Sequence, residues 1–152
     1  MMLHLLLHLG NECYALDVRR IVEVVPLVHC RPLAHTPPCV AGTFDYRGTL
    51  VPVIDLCRLT GASPCRALYT TRIVLVDYPA ADGRSHILGL LAEQITETVK
   101  LDPTTFEDAG VCARAAPYLG GLARQDSTLI QRIDTARLLP DDLQRLLFTE
   151  CA

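Results

Sequence analysis

The chain has 152 residues, half of them apolar and 20% charged, a balance that suits a globular fold burying roughly 70% of its unfolded surface. Aromatic residues make up only 5% and tryptophan is absent, so the core must be built from Leu, Val, Ile and Ala. A formal net charge of -3 with no lysine/arginine cluster excludes nucleic acid binding through phosphate neutralisation.

The first nine residues are apolar, yet they lack a basic leader and run into Gly10-Asn11 instead of a cleavage site. They read as a strand that turns at Gly10-Asn11 into a second strand over residues 13–18. No apolar run reaches the ~20 residues of a membrane-spanning helix, which predicts a cytoplasmic protein with no direct membrane insertion. Residues 19–25 read as a strand with Ile21, Glu23 and Val25 on one face, and Glu23 there wants a partner. The segment from Arg31 to Pro38 is proline-rich and irregular.

Seven scattered cysteines (13, 30, 39, 57, 65, 112 and 151) are odd in number and come with no secretory signal, as expected of reduced core fillers. His29, Cys30, His35 and Cys39 lie close in sequence but without C-x-x-C or H-x-x-x-H spacing, so no metal ligand is assigned. A small β-barrel binding a metal or small molecule through His29, Cys30 and Cys39 is the alternative reading. His4 and His8 read as alternate positions on an edge strand.

The most structured stretch runs from Gly42 through Arg47-Gly48 to Asp55-Leu56. It reads as strand, tight turn, β-branched strand, and a helix start capped by Asp55. Arg47 at the turn is either solvated or held by a carboxylate. Residues 62–66 form a linker, residues 72–77 the clearest buried strand, and residues 79–83 a hairpin loop. Strand character resumes over residues 87–99, and a loop carries residues 101–116. A short helical signal follows Asp134, and residues 140–148 form a final amphipathic helix with Leu143, Leu146 and Leu147 as its apolar stripe.

Residues 117–138 laid beneath residues 38–59, an offset of 79, give eight identities: Pro38/Pro117, Gly42/Gly121, Thr49/Thr128, Leu50/Leu129, Ile54/Ile133, Asp55/Asp134, Arg58/Arg137 and Leu59/Leu138. Upstream, at an offset of 74, Leu16, Ile21, Glu23 and Val25 fall on Leu90, Ile95, Glu97 and Val99. One β unit used twice predicts two similar small barrels, with Gly42, Gly48, Asp55, Gly121 and Asp134 as turn and cap residues. Arg47-Gly48 becomes Asp126-Ser127 in the second copy, so the unit does not need Arg47 for its fold, and a specific contact is expected there.

No nucleophile elbow, phosphate loop or triad is present, so no catalytic residue, enzymatic activity or cofactor is assigned. The order of features resembles the CheW family of bacterial chemosensory adaptors nearly end to end. The carriers are Leu9-Gly10-Asn11-Glu12-Cys13-Tyr14-Ala15-Leu16-Asp17-Val18, Ile21-Val22-Glu23-Val24, Pro38-Cys39-Val40-Ala41-Gly42, Tyr118-Leu119-Gly120-Gly121-Leu122 and the R-G-x-x-x-P-V-I-D-L run from Arg47 to Leu56. The resemblance implies one CheW-like domain over residues 1–152, all-β, built from two five-stranded SH3-like β-barrels packed together, with repeat cores near 38–59 and 117–138. It also implies a non-enzymatic adaptor at membrane-associated receptor arrays, joining the regulatory domain of a CheA-type histidine kinase to a chemoreceptor's cytoplasmic tip. By the same resemblance Glu23 and Arg47 pair near the receptor-facing surface, with Ile21 and Val22 as apolar contacts. Where family members commonly carry Asn-Leu before Arg-Gly, this chain carries Asp45-Tyr46, so Glu23 and Asp45 are both candidates to hold Arg47.

Overall fold

A computed structural model describes residues 2–61, 63–79, 83–107, 118–125 and 127–148. Among the described residues nine strands dominate: β1 (Met2–Leu9), β2 (Glu12–Asp17), β3 (Ile21–Pro26), β4 (Val40–Tyr46), β5 (Thr49–Asp55), β6 (Arg72–Pro79), β7 (Ser85–Leu101), β8 (Leu119–Gln125) and β9 (Thr128–Ile133). Helix α1 (Leu56–Thr60) follows β5, a 3-10 turn (Thr135–Arg137) follows β9, and α2 (Asp141–Phe148) follows that turn. The tip of the 79–83 loop, most of residues 101–116, Pro117, Asp126 and the last four residues lie outside the described set.

The 17-residue strand β7 serves two five-stranded units. Its first half pairs antiparallel with β6 and parallel with β5, and the unit continues outward to β3 on one side and β4 on the other. Its second half pairs antiparallel with β1, and that unit runs on through β2, β9 and β8. Between the halves Gln94 takes a φ of 47°, and the register against β1 slips between Leu6 and His8. That bulge turns the strand from one unit into the other.

Each unit has its ends joined by one bridge. Arg31, past β3, exchanges both backbone hydrogen bonds with Thr43 of β4, and Glu107, past β7, does the same with Leu122 of β8. The chains pass so closely there that glycine is required in both units. A Cβ on Gly42 would stand 2.3 Å from the Arg31 carbonyl oxygen, and one on Gly121 would stand 2.9 Å from that of Glu107. The two units also start their helices alike. Asp55 N–H donates to Cys39 O and Asp134 N–H to Tyr118 O, both at 2.7 Å, and each aspartate side chain accepts from the turn that follows it.

The sequence repeat and the two units cut the chain differently. Strand β5 of the first copy pairs with β7 of the second, Ile54 opposite Leu90, while β9 of the second copy pairs with β2 of the first, Ile133 opposite Leu16. These are equivalent positions of the repeat, so each copy lends strands to both units.

Among the described residues three apolar clusters follow from this exchange. Leu6, Cys13, Ala15, Leu101 and Ile130 fill one unit, and Val51, Val53, Ile73, Leu75 and Leu91 fill the other. The largest cluster lies between the units and takes Leu5, Leu7, Tyr14 and Leu16 from one with Ile54, Val74, Val76, Tyr78 and Leu90 from the other. Strands β1 and β6 therefore bury both faces, which is why Leu5-Leu6-Leu7 and Ile73-Val74-Leu75-Val76 are continuous apolar runs without alternation. The edge-strand reading of His4 and His8 is corrected by the same fact. Strand β1 is central, His4 is fully buried, and its Nδ1 lies 3.1 Å from Met2 O.

Candidate functional site

The candidate site lies where β3 meets the tip of the β4–β5 hairpin. Arg47 (φ 52°) and Gly48 (φ 85°) both adopt left-handed backbone, the geometry of a two-residue turn whose twist matches its strands. Asp45 Oδ1 accepts the Gly48 N–H at 2.7 Å. That bond commits Asp45 to the turn and leaves Arg47 to a carboxylate on another strand.

Arg47 Nη2 stands 3.7 Å from Glu23 Oε2 on β3. The Tyr46 hydroxyl donates to the same Glu23 oxygen, and that bond holds the tyrosine hydroxyl above its ordinary pKa range. Arg47 also lies over the Tyr46 ring, 5.2 Å from its centroid, and Phe44 packs edge-on against that ring. One carboxylate is thus held by a guanidinium and a phenol presented by consecutive residues. With Arg47 76% exposed and Glu23 39% exposed, the cluster is a surface feature that fixes orientation more than stability.

The predicted apolar contacts divide by face. Ile21 packs against the shared core, while Val22 is 49% exposed. Val24, Leu27 and Val28 continue the exposed apolar row beyond it. Strand alternation places Val22 and Val24 outward and Ile21, Glu23 and Val25 on the other face. Sequence alone does not single out Tyr46 or Val24 as site residues, although the aromatic before Arg-Gly is a signal for the first and the alternation of β3 for the second.

The donor set His29, Cys30 and Cys39 does not assemble among the described residues. His29 is exposed, Cys30 packs against the core of one unit, and Cys39 packs against the cluster between units. Burial pushes both thiols above the ordinary cysteine range. No described helix is long and apolar enough to cross a membrane.

A family profile described as "CheW-like domain" matches residues 3–143. The chain belongs to the CheW-like family. The chemotaxis protein CheW of Klebsiella aerogenes is 26% identical over 149 residues, covering 94% of this chain and 84% of that protein. The CheW of Helicobacter pylori is 24% identical over 135 residues, with 88% and 79% covered. Among solved structures, the scaffolding protein CheW of Thermoanaerobacter tengcongensis superimposes with a TM-score of 0.80 at 26% identity over 91% of this chain and 88% of that one. The fold is the mostly β CheW fold, and its two five-stranded units are the SH3-like subdomains.

Proposed function

We propose that this CheW-like chain is a non-enzymatic adaptor that joins the cytoplasmic tip of a chemoreceptor to the regulatory domain of a CheA-type histidine kinase. Membership of the family and the likeness to a scaffolding protein support the reading. The observation that carries its receptor-facing part is the Glu23 cluster, a charged clasp of Tyr46 and Arg47 beside the exposed Val22 and Val24. Such a surface offers an apolar row for the ridge of a helical hairpin and a fixed charge pair that sets its register. A barrel edge elsewhere pairs with the kinase domain, and the protein reaches the membrane only through its partners.

Arg47→Glu places two carboxylates together at the hairpin tip without touching the core. It is expected to leave the circular dichroism spectrum and melting temperature in place while reducing co-sedimentation with a receptor-tip fragment and kinase several-fold. Unchanged recruitment would overturn the assignment of this surface to the receptor. Failure of the unaltered protein to bind either partner would overturn the adaptor reading itself.

A further inference from the structure

At the end of β5 remote from the Arg47 turn, the fold gathers two thiols and two carboxylates. The ligand atoms of Asp55, Cys57 and Cys65 lie within 4.8 Å of one another. Asp55 and Cys57 are buried, 5% and 8% exposed, and Cys65 is half-buried. Glu93 of β7, also 5% exposed, sets Oε1 3.4 Å from Cys57 Sγ, while its Oε2 accepts from Arg66 Nε at 2.6 Å. Three backbone N–H groups fix the Asp55 carboxylate: those of Cys57 and Arg58 reach Oδ1, and that of Cys65 reaches Oδ2. An ionised carboxylate accepts up to about four hydrogen bonds, so lone-pair capacity on Oδ2 is left for a further partner.

We propose that Asp55, Cys57 and Cys65 bind one thiophilic divalent cation of the zinc class, with the fourth position filled by water or by Glu93, whose Oε1 lies beside Cys57 Sγ. Two soft sulfur donors with one or two carboxylates suit a tetrahedral d10 ion. Binding replaces both thiol protons with the metal: one dication and two R–SH give the bis-thiolate and two released protons. Thiolate bonds of about 2.3 Å and carboxylate bonds of about 2.0–2.2 Å bring donors to within roughly 4 Å of one another. The required contraction is small, and Cys65 sits on the segment joining α1 to β6, where loop backbone can supply it. A cavity of about 420 Å³ reaches the cluster from the Cys57 side, lined there by Cys57, Arg66 and Glu93, while Asp55 and Cys65 lie behind its wall. Arg66 holds Glu93 from outside the ligand set, as an outer partner orients a ligand.

The site is distinct from the Glu23 cluster and does not depend on the adaptor reading. Its test uses the untagged, fully reduced 152-residue protein, stripped with chelator and titrated with Co²⁺, then with Zn²⁺ in competition with a chromophoric chelator. The expected result is saturation at one equivalent, a thiolate-to-cobalt charge-transfer band, and release of two protons per ion. Cys65→Ser and Cys57→Ser should each weaken binding by at least the roughly tenfold typical of losing even an outer partner, whereas Cys30→Ser should not. If Cys57→Ser does not fold, the half-buried Cys65→Ser carries the comparison. No saturable binding by the reduced protein, or binding indifferent to Cys65→Ser, would each overturn the proposal.

Discussion

Gly42 and Gly48 sit six residues apart on one hairpin, and their substitutions should separate steric demand from backbone strain. A Cβ at Gly42 meets backbone carbonyl atoms that cannot swing away, at a φ of 139°, whereas a Cβ at Gly48 meets nothing within 4 Å at a φ of 85°. Gly48→Ala should cost about 1 kcal/mol of left-handed strain, and Gly42→Ala more than about 2 kcal/mol because the closing bridge must part. Urea unfolding of the two variants checks the order; equal losses would mean that the bridge yields easily. Asp17 offers a second measurement at this scale. The Arg19 guanidinium donates to it three times and the Arg19 backbone N–H once, with Arg132 3.7 Å away, so its carboxyl is held below the usual carboxylate range by the Arg19 hydrogen bonds. A lowered native pKa stabilises above the unfolded value, and that gain disappears as pH falls through the native value. Asp17→Asn should therefore cost about 1 kcal/mol at neutral pH, discounted because Arg19 is largely exposed, and nothing in acid. Sequence exposed the turn and cap residues because φ and capping demands are local. It left Glu23 and Asp45 as rivals for Arg47, since the choice depends on Asp45 accepting the turn N–H and on Tyr46 reaching across to β3.

Strand β7 is the element on which the two units depend, and Gln94 is its weak point. A left-handed φ of 47° in a strand interior is tolerated by glutamine and punished in a β-branched residue. Gln94→Val should destabilise the protein by about 1–2 kcal/mol, while Gln94→Gly should fall within about 0.5 kcal/mol of the parent, relief of strain offsetting lost chain entropy. Thermal melts of both variants decide it, and a neutral Gln94→Val would show that the bulge relaxes to regular pairing. Alternation at Ile95, Glu97 and Val99 marked this segment as a strand, but periodicity says nothing about which neighbour each half takes. The repeat likewise reveals two equivalent units and hides the exchange of strands between them, because pairing of Ile54 with Leu90 and of Leu16 with Ile133, residues far apart in sequence, leaves no local signature. His4 and His8 misled for the same reason: polar residues on a strand signal an edge only when no second neighbour covers it.

The two units share their largest apolar cluster and are stitched in both directions by tyrosines. The Tyr78 hydroxyl, from β6, donates to Ala136 O at 3.2 Å and accepts the Leu139 N–H at 3.2 Å, tying one unit to the turn that ends the other. Tyr118, just before β8, returns the link by donating to Leu59 O of α1 at 3.2 Å. Each unit thus ties down the chain reversal of its partner, and neither keeps its inner face covered if the other opens. A shared core and crossed strands predict one cooperative transition, since no unit can unfold without exposing the cluster that both line. Tyr78→Phe leaves a buried Leu139 N–H without its acceptor and should cost about 1–2 kcal/mol; Tyr118→Phe, which frees only a carbonyl, should cost about 1 kcal/mol or less. For a chain of this length each kcal/mol lowers the melting temperature by about 2–4 °C. Both variants should still melt in a single step by calorimetry and by circular dichroism with coincident midpoints. Two resolved transitions in either variant would show that the units hold together through hydrogen bonds alone, and that the cluster between them contributes less than its burial implies.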